Sequence, residues 1–160
     1  MSQFRERPCR ECERGTLRLL KGPLRTWRYK RFMLAVPAEF EIPTCDNCGE
    51  QWLNPEMAAA LDDVLSQQYS DKLVTLIEQA IEVLHHHCSQ RALEKLLGLS
   101  QGYLSKILGR KKVPSEALVT GLVLLARDPK VRLLEAEESW SEVPPAWLIE
   151  KAQEEGNKHV

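Results

Sequence analysis

The sequence predicts two modules, a small β module organised by four cysteines and an all-α domain of five helices. Three observations predict it. Cys9-Arg10-Glu11-Cys12 and Cys45-Asp46-Asn47-Cys48 are two C-x2-C pairs separated by 32 residues. The residues between the pairs alternate apolar and polar, the period of strands. From residue 54 onward apolar residues recur at helical spacing, with capping residues and glycine stops between the runs. A chain of 160 residues holds one ordinary domain or two small ones. The boundaries this suggests are 1–53 for the β module, 54–70 for a connecting helix, 71–139 for the helical domain and 140–160 for a tail.

The two-residue gap in C-x2-C lets one tight turn aim two thiolates at one ion. Two such knuckles supply four sulfurs for a closed tetrahedral zinc site, so Cys9, Cys12, Cys45 and Cys48 are expected to hold one structural Zn2+. A closed shell leaves no position for water, which argues against a catalytic metal. Redox chemistry would need a low-pKa thiol in a thioredoxin-like setting, and none is visible. Gly49 after the second knuckle suits a left-handed residue, whereas the first knuckle continues Glu13-Arg14-Gly15. Arg5, Arg7, Arg10 and Arg14 offset the negative charge of a four-thiolate centre. Between the knuckles, Thr16 to Leu20 reads as a strand and Gly22-Pro23 as its punctuation. Trp27 and Tyr29 alternate with Arg28 and Lys30, then Phe32, Leu34 and Val36 with Met33 and Ala35, and Phe40 and Ile42 lead into the second knuckle. So small a sheet buries little and needs a metal staple.

Asn54-Pro55-Glu56 is a helix start, with a cap, a proline at the first helical position and an acid at the positive dipole end. Met57, Leu61, Val64 and Leu65, then Leu73, Leu76, Ile77, Ala80, Ile81 and Leu84, continue at helical spacing. Ser70-Asp71 either restarts a second helix or is read through. His85-His86-His87 cannot chelate one ion from a helix, because neighbouring helical residues point about 100° apart. They are read as a helix end.

Residues 89–114 carry six basic groups and one acid, between segments in which acids predominate. Such a block is a candidate polyanion contact or a solvated basic face. Its pattern favours the contact. Ser89 caps a helix bearing Ala92, Leu93, Leu96 and Leu97, and Gly98 ends it. Ser100 is expected to cap a second helix whose Leu104, Ile107 and Leu108 face inward and which Gly109 stops. Two short helices joined by a glycine-containing turn form a helix-turn-helix. Gln101, Gly102, Tyr103, Ser105 and Lys106 are left outward, donor-rich and acid-poor, as a major groove requires. Helices at about 115–126 and 130–139 are expected to add Leu118, Val119, Leu122, Leu125, Val131 and Leu134 to the core. In the tail a short helix is expected from 145 to about 154, with Asn157 to Val160 frayed.

The run GLSQGYLSKILGRKKVP resembles the Cro/repressor (XRE) family of DNA-binding domains, over roughly 73–135. Glu94 stands where that family usually has a small residue, and Leu108 where it commonly has Glu. The resemblance implies that Gln90 and Ser100 touch phosphate. It implies that Gln101, Gly102, Tyr103 and Lys106 lie nearest the bases, and that Arg110, Lys111 and Lys112 sit against the DNA backbone. The order of parts, with VPAEFEIPTCDNCGEQWLNPE between the modules, is similar to that of the MqsA/YgiT-type zinc-finger antitoxins. That resemblance implies repression of the chain's own operon and a ribonuclease toxin as partner.

No apolar run approaches the ~18 residues of a membrane span. MSQFRERPCR lacks the apolar stretch of a secretory signal, so a cytoplasmic location is expected, where five cysteines are not expected to form a disulfide framework. No P-loop, catalytic triad or paired-carboxylate site stands out, and no enzymatic activity is expected. The sequence thus points to a zinc-containing regulator, a repressor that binds double-stranded DNA as a homodimer and plausibly a toxin as well. A stand-alone regulator with a purely structural zinc module, and a zinc-ribbon interaction module without DNA binding, are the competing readings.

Overall fold

The computed structural model describes residues 4–22, 25–141 and 143–156. Pro23 of the expected turn and the expected frayed end, 157–160, lie outside the described residues. The chain divides into two compact units, one up to Asp71 and one from Lys72.

In the first unit, β1 (Arg7–Pro8), β2 (Thr16–Leu20) and β5 (Ile42–Cys45) form an antiparallel sheet in the order β1-β2-β5. Leu17 pairs with Arg7 on one side and with Cys45 on the other. A separate hairpin, β3 (Thr26–Tyr29) and β4 (Phe32–Ala35), pairs Trp27 with Leu34. Arg25 joins the pieces, its guanidinium donating to the carbonyls of Leu20, Gly22, Pro37 and Phe40. The buried centre of the sheet is Cys9, Leu17 and Cys45, with Phe4, Cys12 and Trp52 packed against it. So small an apolar centre, half of it thiol, is weak without a cross-link.

Helix α1 (Pro55–Leu84) is one helix of 30 residues. Asn54 caps it, its Oδ1 accepting the Met57 N–H at 2.7 Å. Ser70 does not restart it: its hydroxyl donates back to the Ser66 carbonyl at 3.0 Å, which lets the helix continue. In the first unit α1 buries Leu61, Leu65 and Tyr69. Tyr69 meets the rings of Tyr29 and Phe32 at 5.7 and 5.6 Å between centroids, and Gln68 donates to the Ala35 carbonyl. The hairpin is thus held by aromatic packing on α1.

The second unit contains the rest of α1, then α2 (Gln90–Leu96), α3 (Tyr103–Leu108), α4 (Glu116–Arg127), α5 (Pro129–Glu138) and α6 (Ala146–Gly156). Its core is Leu73, Val74, Ile77, Ala80, Ile81 and Leu84 of α1, Leu93 of α2, Leu104 and Ile107 of α3, and Val119, Leu122 and Leu125 of α4. Ser89 and Ser115 cap α2 and α4 through their hydroxyls. The expectation that Val131 and Leu134 belong to this core fails: they are 47% and 61% exposed, and α5 has no buried residue. The helix carries apolar side chains at 131, 133 and 134, which cannot all turn one way. Leu133 and Ala136, spaced i,i+3, take the half-buried side, and this rotates Val131 and Leu134 outward. Among the described residues no helix is long and apolar enough to cross a membrane.

Candidate functional site

The four expected cysteines come together. Their sulfurs all lie within 4.8 Å of one another, with Cys9 to Cys48 at 3.7 Å and Cys12 to Cys45 at 3.6 Å. A tetrahedron with corners about 2.3 Å from its centre, a metal–thiolate distance, has edges of about 3.8 Å. The cluster is therefore positioned to hold one metal ion. Two similar turns build it. The Cys9 carbonyl accepts the Glu13 N–H and the Cys45 carbonyl accepts the Gly49 N–H, both at 3.1 Å. Each turn ends on a left-handed residue, Gly49 at φ 74° as expected, and Glu13 at φ 52° without a glycine. Asn47 donates its backbone N–H to the Cys45 sulfur at 3.4 Å.

The thiols differ from one another. Hydrogen bonds from Asn47 and from the backbone at Arg14 bring Cys12 down to about 6. The Glu50 backbone N–H lowers Cys48, but desolvation and the three neighbouring thiols outweigh it and push the group up to about 12. Four thiols this close favour full ionisation only around a cation. Gly15 is part of the centre in a way the sequence did not reveal. A Cβ there would stand 2.3 Å from the Cys45 sulfur and 2.7 Å from Asn47 Cβ, so only glycine lets the knuckles close. Arg5, Arg7, Arg10 and Arg14 are exposed, and the Arg7 guanidinium stacks over the Trp52 ring at 5.3 Å. Cys88 belongs to no metal-ligand cluster among the described residues, and burial together with the Glu137 charge pushes its thiol up. His85, His86 and His87 form an exposed turn after α1 and likewise join no such cluster.

The α2–α3 pair is held by a residue whose role sequence reasoning missed. Glu94 is 3% exposed, and its carboxylate accepts the Gly102 and Leu104 N–H groups, both at 2.9 Å. Gln90 donates to the same carboxylate at 3.2 Å and to the Ser105 hydroxyl at 2.8 Å. Burial pushes the Glu94 carboxyl up, but the two backbone N–H groups and the Gln90 amide outweigh it and hold it below the usual carboxylate range. Glu94 thereby replaces Ser100 as the cap. Helix α3 starts at Tyr103, after Gly102 at φ 75°, and Ser100 instead contributes its carbonyl to the Tyr103 N–H. The turn must be this tight because the α3 N-terminus reaches a side chain of α2.

The remaining sequence-selected residues of this unit lie around that clamp. Gln101, Lys106, Lys111 and Lys112 are exposed, and Gly102 and Tyr103 are half-buried. The Lys112 ammonium sits over the Tyr103 ring at 4.3 Å. Arg110, rather than Gly109, takes the left-handed conformation after α3, at φ 55°, and its guanidinium reaches Glu78 at 3.8 Å. Arg91 and Lys95, one turn apart on α2, line a 510 Å3 cleft with Ser89 and Gln101. These two cations were legible in the basic block but not as neighbours of Gln101. No family model matches the chain, and no curated protein matches it.

Proposed function

We propose that the chain is a zinc-stabilised, sequence-specific DNA-binding repressor of the MqsA/YgiT type, whose α2–turn–α3 segment is a Cro-type helix-turn-helix. The observation that carries this reading is the clamped α2–α3 pair. A buried carboxylate fixes the start of α3, while Gln101, Lys106, Lys111 and Lys112 stand exposed around it. In this reading Gln101 and Lys106 meet base edges, with Gly102 permitting close approach and Tyr103 packing beside them. Arg110, Lys111, Lys112 and Ser100 position the protein on phosphates. Gln90 already donates to Glu94 and Ser105, so its part is to steady the reading helix as well as to approach the backbone. A homodimer would present two such helices to half-sites about 34 Å apart and repress by occlusion. The four cysteines hold Zn2+ as thiolates in a closed shell, which serves folding rather than chemistry. The β module is the surface offered to a toxin, and the protein works in the cytoplasm, where its thiols stay reduced.

The test begins with metal analysis and selection of bound duplexes from a random DNA library. One Zn2+ per chain and enrichment of a palindromic sequence are expected. Cys45→Ser should lose the metal and melt the β module, leaving the transition of the helical unit in place. Absence of any enriched sequence overturns the DNA-binding reading. Co-purification from cells tests for the toxin.

A further inference from the structure

Phe4 to Arg7 run into β1, an edge strand of the three-stranded sheet. Side chains alternate along an extended segment, and here the charges sort by that alternation. Glu6 turns to Arg18, 3.7 Å away. Arg5 and Arg7 take the other side, both exposed and neither in an ion pair among the described residues. They line a cleft of 610 Å3 together with the buried Pro43 and the half-buried Phe4, Trp52 and Met57. Trp52 is held in place twice: its backbone N–H donates to the Pro43 carbonyl at 2.9 Å, and the Arg7 guanidinium lies over its ring at 5.3 Å. Asn54, just ahead of α1, joins the lining. Its Oδ1 accepts the Met57 N–H at 2.7 Å, which leaves its NH2 group to donate elsewhere. No acid is among the described residues that line this cleft.

We infer that this cleft binds a nucleoside phosphate, free or at the end of a single strand, a ligand that the repressor reading does not require. Each part of the ligand answers to a part of the lining. Arg5 and Arg7 stand two residues apart in an extended segment, about 7 Å along it, close enough for two long side chains to converge on one phosphate. Their two positive charges match a phosphate monoester, which carries about −1.5 to −2 at neutral pH, and the guanidinium fork suits its oxygens. The Asn54 amide and the positive end of α1 add to the same anion site. Trp52 and Phe4 give a base two aromatic surfaces, and the guanidinium stacked on Trp52 supplies a further plane. An inorganic phosphate would leave those rings unused, and the cleft falls in the range of about 300–1,000 Å3 that small-molecule sites occupy. Paired bases in a duplex are stacked on one another and offer no free face, so the ligand is a free nucleotide or an unpaired strand end.

The test is isothermal titration of the full chain with 5′-AMP, 5′-GMP, 5′-CMP and 5′-UMP, beside the matching nucleosides and inorganic phosphate. At least one monophosphate should bind about tenfold or more tighter than its nucleoside and than phosphate, since each of these lacks one half of the contacts. Arg5→Gln and Arg7→Gln should each weaken that binding about tenfold, the loss of one charge-assisted contact. Both side chains are exposed, so circular dichroism should show both variants folded. The nucleotide should also shift the Trp52 indole N–H resonance in 1H–15N spectra, assigned as the signal missing from Trp52→Phe. A 5′-phosphorylated dinucleotide that binds tighter than the mononucleotide identifies a strand end as the ligand, and equal binding identifies the free nucleotide. No binding by any monophosphate up to about 5 mM overturns the inference, as does phosphate binding as tightly as the nucleotides. Parent-like binding by both arginine variants, or an unmoved Trp52 signal, overturns it too. If Arg7→Gln does not fold, Arg5→Gln and the Trp52 signal decide. None of these measurements involves duplex DNA, so failure of the DNA-binding reading leaves them unchanged.

Discussion

Replacing Glu94 tests what joins α2 to α3. The carboxylate accepts the Gly102 and Leu104 N–H groups at 2.9 Å and the Gln90 amide at 3.2 Å. Glu94→Ala removes all three acceptor contacts and leaves the buried Leu104 N–H without a partner. A hydrogen bond to a charged group contributes about 1.5–3 kcal/mol, and an unsatisfied buried donor costs about 1–3 kcal/mol. Water can reach the half-buried Gly102 N–H, so the contributions do not sum fully, and a loss of about 3 kcal/mol is expected. For a unit of this size that lowers its melting temperature by roughly 10–20 °C. Glu94→Gln keeps the shape and one acceptor oxygen but turns an NH2 toward a backbone donor, and should cost about half as much. The assay is urea and thermal unfolding by circular dichroism, with hydrogen exchange at the Gly102 and Leu104 amides. Both amides should exchange faster in both variants. A Glu94→Gln protein as stable as its parent, with unchanged exchange at those two amides, refutes the clamp.

Protonation should mimic that substitution. Glu94 is held below the usual carboxylate range, so its stabilisation is fully present above the unfolded value of about 4.3 and is lost as pH falls through the folded value. The stability gap between the parent and Glu94→Gln should therefore be open at pH 6 and narrow in strong acid; a gap that widens on acidification contradicts the sign. Gly15→Ala places a methyl group 2.3 Å from the Cys45 sulfur and should weaken metal binding by about 10–100-fold in a chelator competition. Parent-like affinity would mean that the knuckles have more room than their geometry implies. On the duplex recovered by selection, Lys106→Ala should lower affinity for the selected sequence more than for scrambled DNA, by about 1–3 kcal/mol. Lys111→Ala should weaken both alike and flatten the salt dependence. Parent-like binding by both variants removes the groove assignment.

What was legible in the sequence is what neighbours in the chain decide. The Asn54 and Ser89 caps each act on an N–H three residues ahead, and the structure forms both. The strand Thr16–Leu20 and the four-cysteine cluster follow in the same way from alternation and from two-residue knuckle spacing. The features that escaped are those in which a residue answers to something distant. Gly15 is small because of a sulfur 30 residues away, and nothing beside it in the chain records that. Ser100 looks like a cap by every local rule, yet Glu94 takes the Gly102 and Leu104 N–H groups eight and ten residues ahead.

Glu94 and Leu134 show how far such distant determinants change the reading of a residue. By pattern, an acid on the inward side of a helix is a misfit, and a leucine at helical spacing is core. In the folded chain the acid is 3% exposed and the leucine 61% exposed. Both reversals have a physical cause. Burying Glu94 is favourable because three donors converge on it, which makes the acid a more specific link between two short helices than a small residue would be. Exposing Leu134 follows from the choice of Leu133 and Ala136 as the inward side of α5, and it places an apolar centre between charges of opposite sign. An inward acid with converging donors fixes a geometry within the chain, and an outward leucine records which side of its helix the neighbouring apolar residues took. Both reversals are therefore set by contacts made elsewhere in the unit: the donors that converge on Glu94 fix the α2–α3 edge, and the inward turn of Leu133 and Ala136 fixes which way α5 faces.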